Sequence, residues 1–213
     1  MNPINKIASI LRFGIPSLPY AQASFSQCGE DFFLRSEFHN TSNGFFVDVG
    51  AYHPYKFSNT HYLRSRGWRG INIEPQPLNS KILAKSCKND ININCAISQQ
   101  TGTLRFKVAG RVSRILSDNE TSPDAITVKS RRLEDIFTEY NIKKIDLLTV
   151  DCEGHDIDAL KSNKWASIRP SLILAEDHNT SIDSELHDFM KSIDYALVSW
   201  YRLTKIYKPL NLI

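Results

Sequence analysis

Residues 151–156 read Asp-Cys-Glu-Gly-His-Asp, and residues 176–177 are a glutamate followed by an aspartate. The first stretch puts two carboxylates and an imidazole within five positions. Such a set can take a proton from a weakly acidic hydroxyl, because histidine titrates near neutrality and a desolvated glutamate is a competent base. Asp151, Glu153 and His155 are therefore the candidate catalytic residues. The bland alternative for His155 is local packing or capping at a helix start. Asp151, Glu176 and Asp177 form a second set. Brought together with nothing basic beside them they would repel one another, and a hard divalent cation such as Mg²⁺ would relieve the repulsion. These three are the candidate metal ligands.

A second stretch, residues 47–60, reads VDVGAYHPYKFSNT. It begins as a buried strand and breaks at Gly50. The later glycines of a dinucleotide-binding loop are replaced by Tyr52, His53 and Pro54, which crowd the backbone approach that a diphosphate needs. Asp48 adds negative charge where a diphosphate would lie. Glu74 follows Gly50 by 24 positions, at the end of the next strand, where a carboxylate accepts ribose hydroxyls. An acid, one glycine and a ribose carboxylate suit an adenosine cofactor that is cationic and lacks phosphates. S-adenosylmethionine is such a molecule, and a nicotinamide dinucleotide is the alternative that this loop and Glu74 alone leave open. Gly50 permits close approach, and Tyr52, His53 and Pro54 are expected to cover its methionine end.

These residues need a scaffold that gathers strand ends. From residue 44 onward, short apolar runs alternate with helical segments: FFVDVG, GINIEP, DININCAIS, KIDLLTVDCEG and PSLILAEDH are the expected strands. Each strand finishes in polar or acidic residues. Alternating strands and helices imply an open, mostly parallel α/β sheet covered on both faces, with its ligand beyond the carboxyl ends of the strands. Residues 99–132 break the rhythm and are expected to form a β-hairpin insertion, flexible around 117–124. YALVSWYRL and KIYKPL are expected to pair antiparallel at the C-terminus. The domain plan is thus an N-terminal arm over 1–25 and one α/β domain over 26–213.

Composition narrows the class. Of the 213 residues, 41% are apolar and 23% charged, which is ordinary for a globular domain. A net charge of +3 is too small to argue for nucleic acid by itself. Cys28, Cys87, Cys95 and Cys152 make no metal-ligand spacing, and reduced thiols in the cytoplasm are expected. No apolar run approaches bilayer length. A peripheral membrane contact through Ile7, Ile10, Leu11 and Phe13 is the one membrane reading weighed.

Several segments together resemble the FkbM family of S-adenosylmethionine-dependent methyltransferases. They are SQCGEDFFL, the run from FFVDVG to INIEPQP, CAIS, LEDIF, and IDLLTVDCEGHDIDAL, in order from residue 26 to about 177. The resemblance implies a class I methyltransferase fold, Rossmann-like, with a seven-stranded mostly parallel sheet whose last strand runs antiparallel. It implies O-methylation of a sugar, glycan or natural-product hydroxyl. By position it implies cofactor contacts at Asp48, Gly50, Ala51, Tyr52, Glu74 and Pro75, with Cys95 and Ala96 near the adenine and Asp151 at the later strand. Gln27 and Asp31 would close over the methionine end. Asn59 and Thr60 fall in the matched segment, where helix capping is their other role. Pro54 stands where many members carry a small residue.

Three other functions could draw on the same residues. A metal-dependent hydrolase acting on a sugar or phosphoester would use Asp151, Glu176 and Asp177 but has no need of Asp48, Gly50 and Glu74. A non-catalytic binding module has no reason to gather so many ionisable groups. A nucleic-acid methyltransferase would need Arg64, Arg66, Arg69, Arg111, Arg114, Arg131 and Arg132 as a basic rim, but they are interspersed as on a solvated surface.

Overall fold

The computed structural model describes residues 23–117 and 119–213. The expected N-terminal arm, including Ile7, Ile10, Leu11 and Phe13, lies outside the described residues except for its last three positions. In chain order the regular elements begin with α1 (Glu30–Glu37), β1 (Phe45–Val49), α2 (His61–Ser65), β2 (Arg69–Ile73), α3 (Pro77–Ser86), β3 (Ile91–Ile93), β4 (Ala96–Ile97) and β5 (Gly102–Lys107). They continue with β6 (Arg114–Ile115), β7 (Ala125–Arg131), α4 (Leu133–Glu139), β8 (Leu147–Val150), α5 (Asp156–Lys161), β9 (Leu172–Glu176), α6 (Glu185–Ser192), β10 (Tyr195–Tyr201) and β11 (Thr204–Pro209).

Seven strands form the main sheet in the order β10-β11-β9-β8-β1-β2-β3. The five strands from β3 to β9 pair in parallel, and β11 runs antiparallel to both β9 and β10. The sheet grows outward in both directions from β1, so β1 and β8 flank the topological switch point. An α/β sheet opens its ligand crevice beyond the carboxyl ends of such a pair.

The strands are continuously apolar because both faces are covered. Val47, Val49, Leu148, Val150, Ile173 and Ala175 point to one face, against Leu133 and Ile136 of α4, Leu160 of α5 and Met190 of α6. Phe46, Leu147, Leu172, Leu174 and Ile206 point to the other, against Leu34 of α1, Leu63 of α2 and Trp68. Fully burying one such side chain is worth roughly 1.5–3 kcal/mol, so apolar packing is the main tie between each face and its helices. Gly67, at φ +92, lets the chain leave α2 and bring Trp68 under the sheet.

Residues 96–131 build more than a hairpin. Their sheet has four strands, in the order β4-β7-β5-β6, with β5 and β7 paired antiparallel. Ala96, Phe106, Ile115 and Val128 make its own small core. After β6, Arg105 donates to the carbonyls of Ser117 and Glu120 at 2.6 and 2.7 Å. Arg114 also donates to Glu120. No helix among the described residues is long and apolar enough to cross a membrane.

Candidate active site

At the switch point the loop after β1 turns against the loop after β8. Gly50 has φ +80, and a Cβ there would lie 1.8 Å from the Asp151 carbonyl oxygen. Any side chain is therefore excluded both by conformation and by space. The Gly50 and Ala51 N–H groups both donate to the Ile73 carbonyl. The chain is thereby held close to β2, and a pocket opens above the strand ends. Gln27, Gly50, Tyr52, Glu74, Asp151 and Glu153 are among the residues lining it.

Glu74 is the anchor of one end. It is 5% exposed, and its two oxygens each accept a backbone hydrogen bond at 2.8 Å, from Tyr52 N–H and Gln76 N–H. Burial pushes its carboxyl up to about 7, with those hydrogen bonds opposing. A carboxylate oriented this firmly keeps free lone pairs for ribose hydroxyls. Beside it Ile73, Pro75, Cys95, Ala96, Ile97 and Phe106 supply flat apolar walls suited to an adenine ring. Phe106 and Ala96 come from the four-stranded sheet, so that sheet forms one side of the pocket.

The other end is acidic. Asp151 is half-buried and hydrogen-bonds Glu176, with Glu153 nearby, so its carboxyl is held well above the usual range by desolvation and then by those charges. Glu176 is raised for the same reasons. Two carboxyls in such contact share a proton. Burial also raises Glu153, against the pull of His178 and Arg111. Glu153 sits at φ +50, a strained backbone for a residue with a side chain. Asp156 fixes that turn by accepting from Cys152 N–H and Gly154 N–H, both at 3.1 Å. Tyr52 and Phe57, at φ +46 and +56, are likewise left-handed, and both reach the pocket.

The structure gathers some of the sequence-derived residues and separates others. Gln27, Gly50, Tyr52, Glu74, Pro75, Cys95, Ala96, Asp151 and Glu153 all reach the pocket. Asp48 does not line it. Strand alternation turns Asp48 to the opposite face, where Thr60 Oγ1 donates to it at 2.7 Å and Arg64 lies behind. Burial raises its carboxyl to about 6, with Thr60 and Arg64 opposing. Asn59 donates to Thr149 at 3.3 Å on the same side, so Asn59 and Thr60 brace the loop. Asp31 is fully buried and accepts from Ser24, Ser26, Phe25 N–H and Arg35, which corrects the expectation that it covers the cofactor. Ala51 packs against Leu83 and Cys87. Of the three residues expected as a cover, Tyr52 alone lines the pocket, joined by Phe57.

Two catalytic-site expectations need correction. His155 turns outward: its Nε2 lies 3.3 Å from the Ile115 carbonyl and its Nδ1 3.7 Å from Asp158. It joins the turn to the four-stranded sheet and is not among the pocket residues. Asp177 is also withdrawn. It accepts from the buried Lys205 Nζ at 2.8 Å and from Asn179 N–H at 2.9 Å, and these contacts hold it below the usual carboxylate range against the effect of burial. His178 takes its place beside the acids, with Nε2 at 3.3 Å from Glu176 Oε2 and 3.9 Å from Glu153 Oε2. Consecutive residues after β9 thus face opposite ways. Phe57, which lines the pocket, and His178, beside Glu153 and Glu176, are residues that sequence reasoning missed, and Arg111, read there as part of a basic rim, lines the pocket instead.

The donor set bears on the cofactor. Glu74 at one end and Asp151, Glu153 and Glu176 at the other offer oxygen acceptors to ribose hydroxyls and an ammonium, which suits a cationic, phosphate-free cofactor better than a diphosphate. A mixed sheet in this strand order, with such a pocket at its switch point, defines a Rossmann-like class I methyltransferase that uses S-adenosylmethionine. The chain belongs to the FkbM methyltransferase family: the methyltransferase FkbM domain matches residues 48–197. It is similar in fold to a TehB-like SAM-dependent methyltransferase from Corynebacterium glutamicum, at 10% identity and TM-score 0.45, covering 98% of this chain and 100% of that one. It is also similar to an O-methyltransferase from Bacillus cereus in complex with SAH, at 12% identity and TM-score 0.41, covering 95% and 89%. No curated protein matches the sequence.

Proposed function

We propose that the protein methylates a hydroxyl oxygen of a sugar, glycan or natural product, with S-adenosylmethionine as methyl donor. One observation carries the reading. Gly50, Glu74 and Asp151 converge on a pocket with an apolar adenine wall, and Glu153, Glu176 and His178 stand together at its acidic end. Glu74 would hold the ribose, and Asp151 would face the positive methionine end.

The bound cofactor supplies a methyl group on a good leaving group, so the chain's own residues must align the acceptor and remove a proton. Glu153, which lines the pocket and whose carboxyl is raised by burial, would serve the second task. Glu153 would take the hydroxyl proton as the acceptor oxygen received the methyl group. Asp156 positions this turn.

Other acceptors fit less well. Of the arginines weighed as a nucleic-acid rim, Arg64, Arg114, Arg131 and Arg132 are ion-paired with acids of this chain. The hydrolase reading loses Asp177 to Lys205. Free Cys28, Cys87, Cys95 and Cys152 fit a cytoplasmic setting. The test is transfer from methyl-labelled S-adenosylmethionine to a panel of sugars and hydroxylated natural products. The reading expects an O-methyl product. Cofactor binding with transfer only to nitrogen or carbon would overturn it.

A further inference from the structure

The acidic end of the pocket carries a chemical problem that methyl transfer alone does not resolve. Glu176 is 7% exposed, yet its Oε2 is buried with no hydrogen-bond partner. A buried carboxylate oxygen left without a donor is costly, and native structures rarely leave one. The His178 Nε2 lies 3.3 Å away without hydrogen-bond alignment, and Glu153 Oε2 lies 3.9 Å from the same nitrogen. All three atoms lie within 4.8 Å of one another. Around an octahedral divalent ion at about 2.1 Å, neighbouring ligands stand about 3 Å apart and opposite ones about 4 Å. The three atoms need to contract only slightly to share one ion.

We infer that Glu153 Oε2, Glu176 Oε2 and His178 Nε2 form a divalent-cation site, and that its imidazole selects a first-row metal such as Mn²⁺ over Mg²⁺. The ligand set differs from the acid trio expected from sequence, because Asp177 is spent on Lys205 and an imidazole stands in its place. That exchange changes the chemistry. Mg²⁺ prefers an all-oxygen shell, whereas two carboxylates with one imidazole suit first-row metals. The strained backbone at Glu153 fits the same purpose, since it directs the carboxylate toward the other two ligands. The function of the ion rests on the proposed methyl-transfer reading: it would hold an acceptor oxygen at the pocket's acidic end and acidify its proton. Glu153 keeps its second oxygen to receive that proton.

The experiment titrates Mn²⁺ into chelator-treated full-length protein and follows free Mn²⁺ by electron paramagnetic resonance. Calorimetry with S-adenosylmethionine runs on the same samples. Binding of about one ion per chain is expected, weakened at least ~10-fold in His178→Ala and in Glu176→Gln, with Mg²⁺ competing only at about 100-fold excess. His178 is half exposed, so its variant should keep the parent melting temperature. Absence of Mn²⁺ binding, binding that survives both substitutions, or equal competition by Mg²⁺ overturns the inference. If S-adenosylmethionine binds while Mn²⁺ does not, the metal site alone falls. If Mn²⁺ binds with the expected losses and S-adenosylmethionine does not bind, the methyl-transfer reading falls and the site stands.

Discussion

Gly50 and Asp151 meet across the switch point so closely that a single added carbon on Gly50 would sit 1.8 Å from the Asp151 carbonyl oxygen. This approach joins the loop that receives the cofactor to the loop that presents the acids. It follows from β1 and β8 being parallel neighbours with both chains leaving the sheet at the same level, as shown by the Asp151 N–H donating to the Val49 carbonyl at 3.0 Å.

Gly50→Ala should therefore damage the site and the fold together. The positive φ alone costs on the order of 1–2 kcal/mol, and the clash must move one of the two loops. Thermal unfolding should show a lower midpoint, and calorimetry at least ~10-fold weaker S-adenosylmethionine binding. Unchanged affinity would mean that the loop does not carry the cofactor.

Glu74 links affinity and pH. Glu74→Ala removes a firmly oriented carboxylate, and losing charge-assisted hydrogen bonds of about 1.5–3 kcal/mol weakens binding ~10–100-fold. The same residue makes the unliganded protein pH-sensitive. Its folded pKa of about 7 lies above the ordinary glutamate value of 4.5, so the folded state holds a proton that the unfolded state has lost. Its stabilising proton is fully present below the unfolded pKa and lost as pH rises through about 7. Between pH 6 and 8 stability should fall by roughly 1–2 kcal/mol from this group. Glu74→Gln should flatten that part of the slope in thermal unfolding.

Glu153 and His155 separate the two candidate bases. Glu153→Gln should lower kcat ~100-fold or more while leaving cofactor affinity near parent. His155→Ala, directed at the Ile115 carbonyl, should keep turnover within about threefold of parent. Single-turnover transfer rates check both, and a reversal of the order would return the base to His155.

Lys205 is a structural cation. It is fully buried, with Asp177, Ser184 and the Ser181 carbonyl around its ammonium. Lys205→Met leaves Asp177 uncompensated and should destabilise the fold by about 3 kcal/mol. Cofactor affinity should change little at a temperature where the variant is folded. Chemical denaturation measures the first effect and calorimetry the second.

Much of this architecture was legible in the chain because parallel strands buried on both faces leave long apolar runs, and three of these runs end in acids that the site uses. Glu74, Asp151, Glu153 and Glu176 could be read that way. Side-chain direction was harder. Asp48 shares strand parity with Phe46, not with Val47 and Val49, and so faces away from the pocket. Asp177 and His178 are adjacent in sequence yet point to Lys205 and to Glu176 respectively. The pocket positions of Phe57 and Arg111 were invisible because one depends on a left-handed turn and the other reaches the pocket from the four-stranded sheet.

The most direct measurement is calorimetric binding of S-adenosylmethionine to the parent protein and to Glu74→Ala. The account predicts one site per chain with affinity in the micromolar range, weakened ~10–100-fold by the substitution. Equal binding by both proteins, or none by the parent at roughly tens of micromolar, would contradict it.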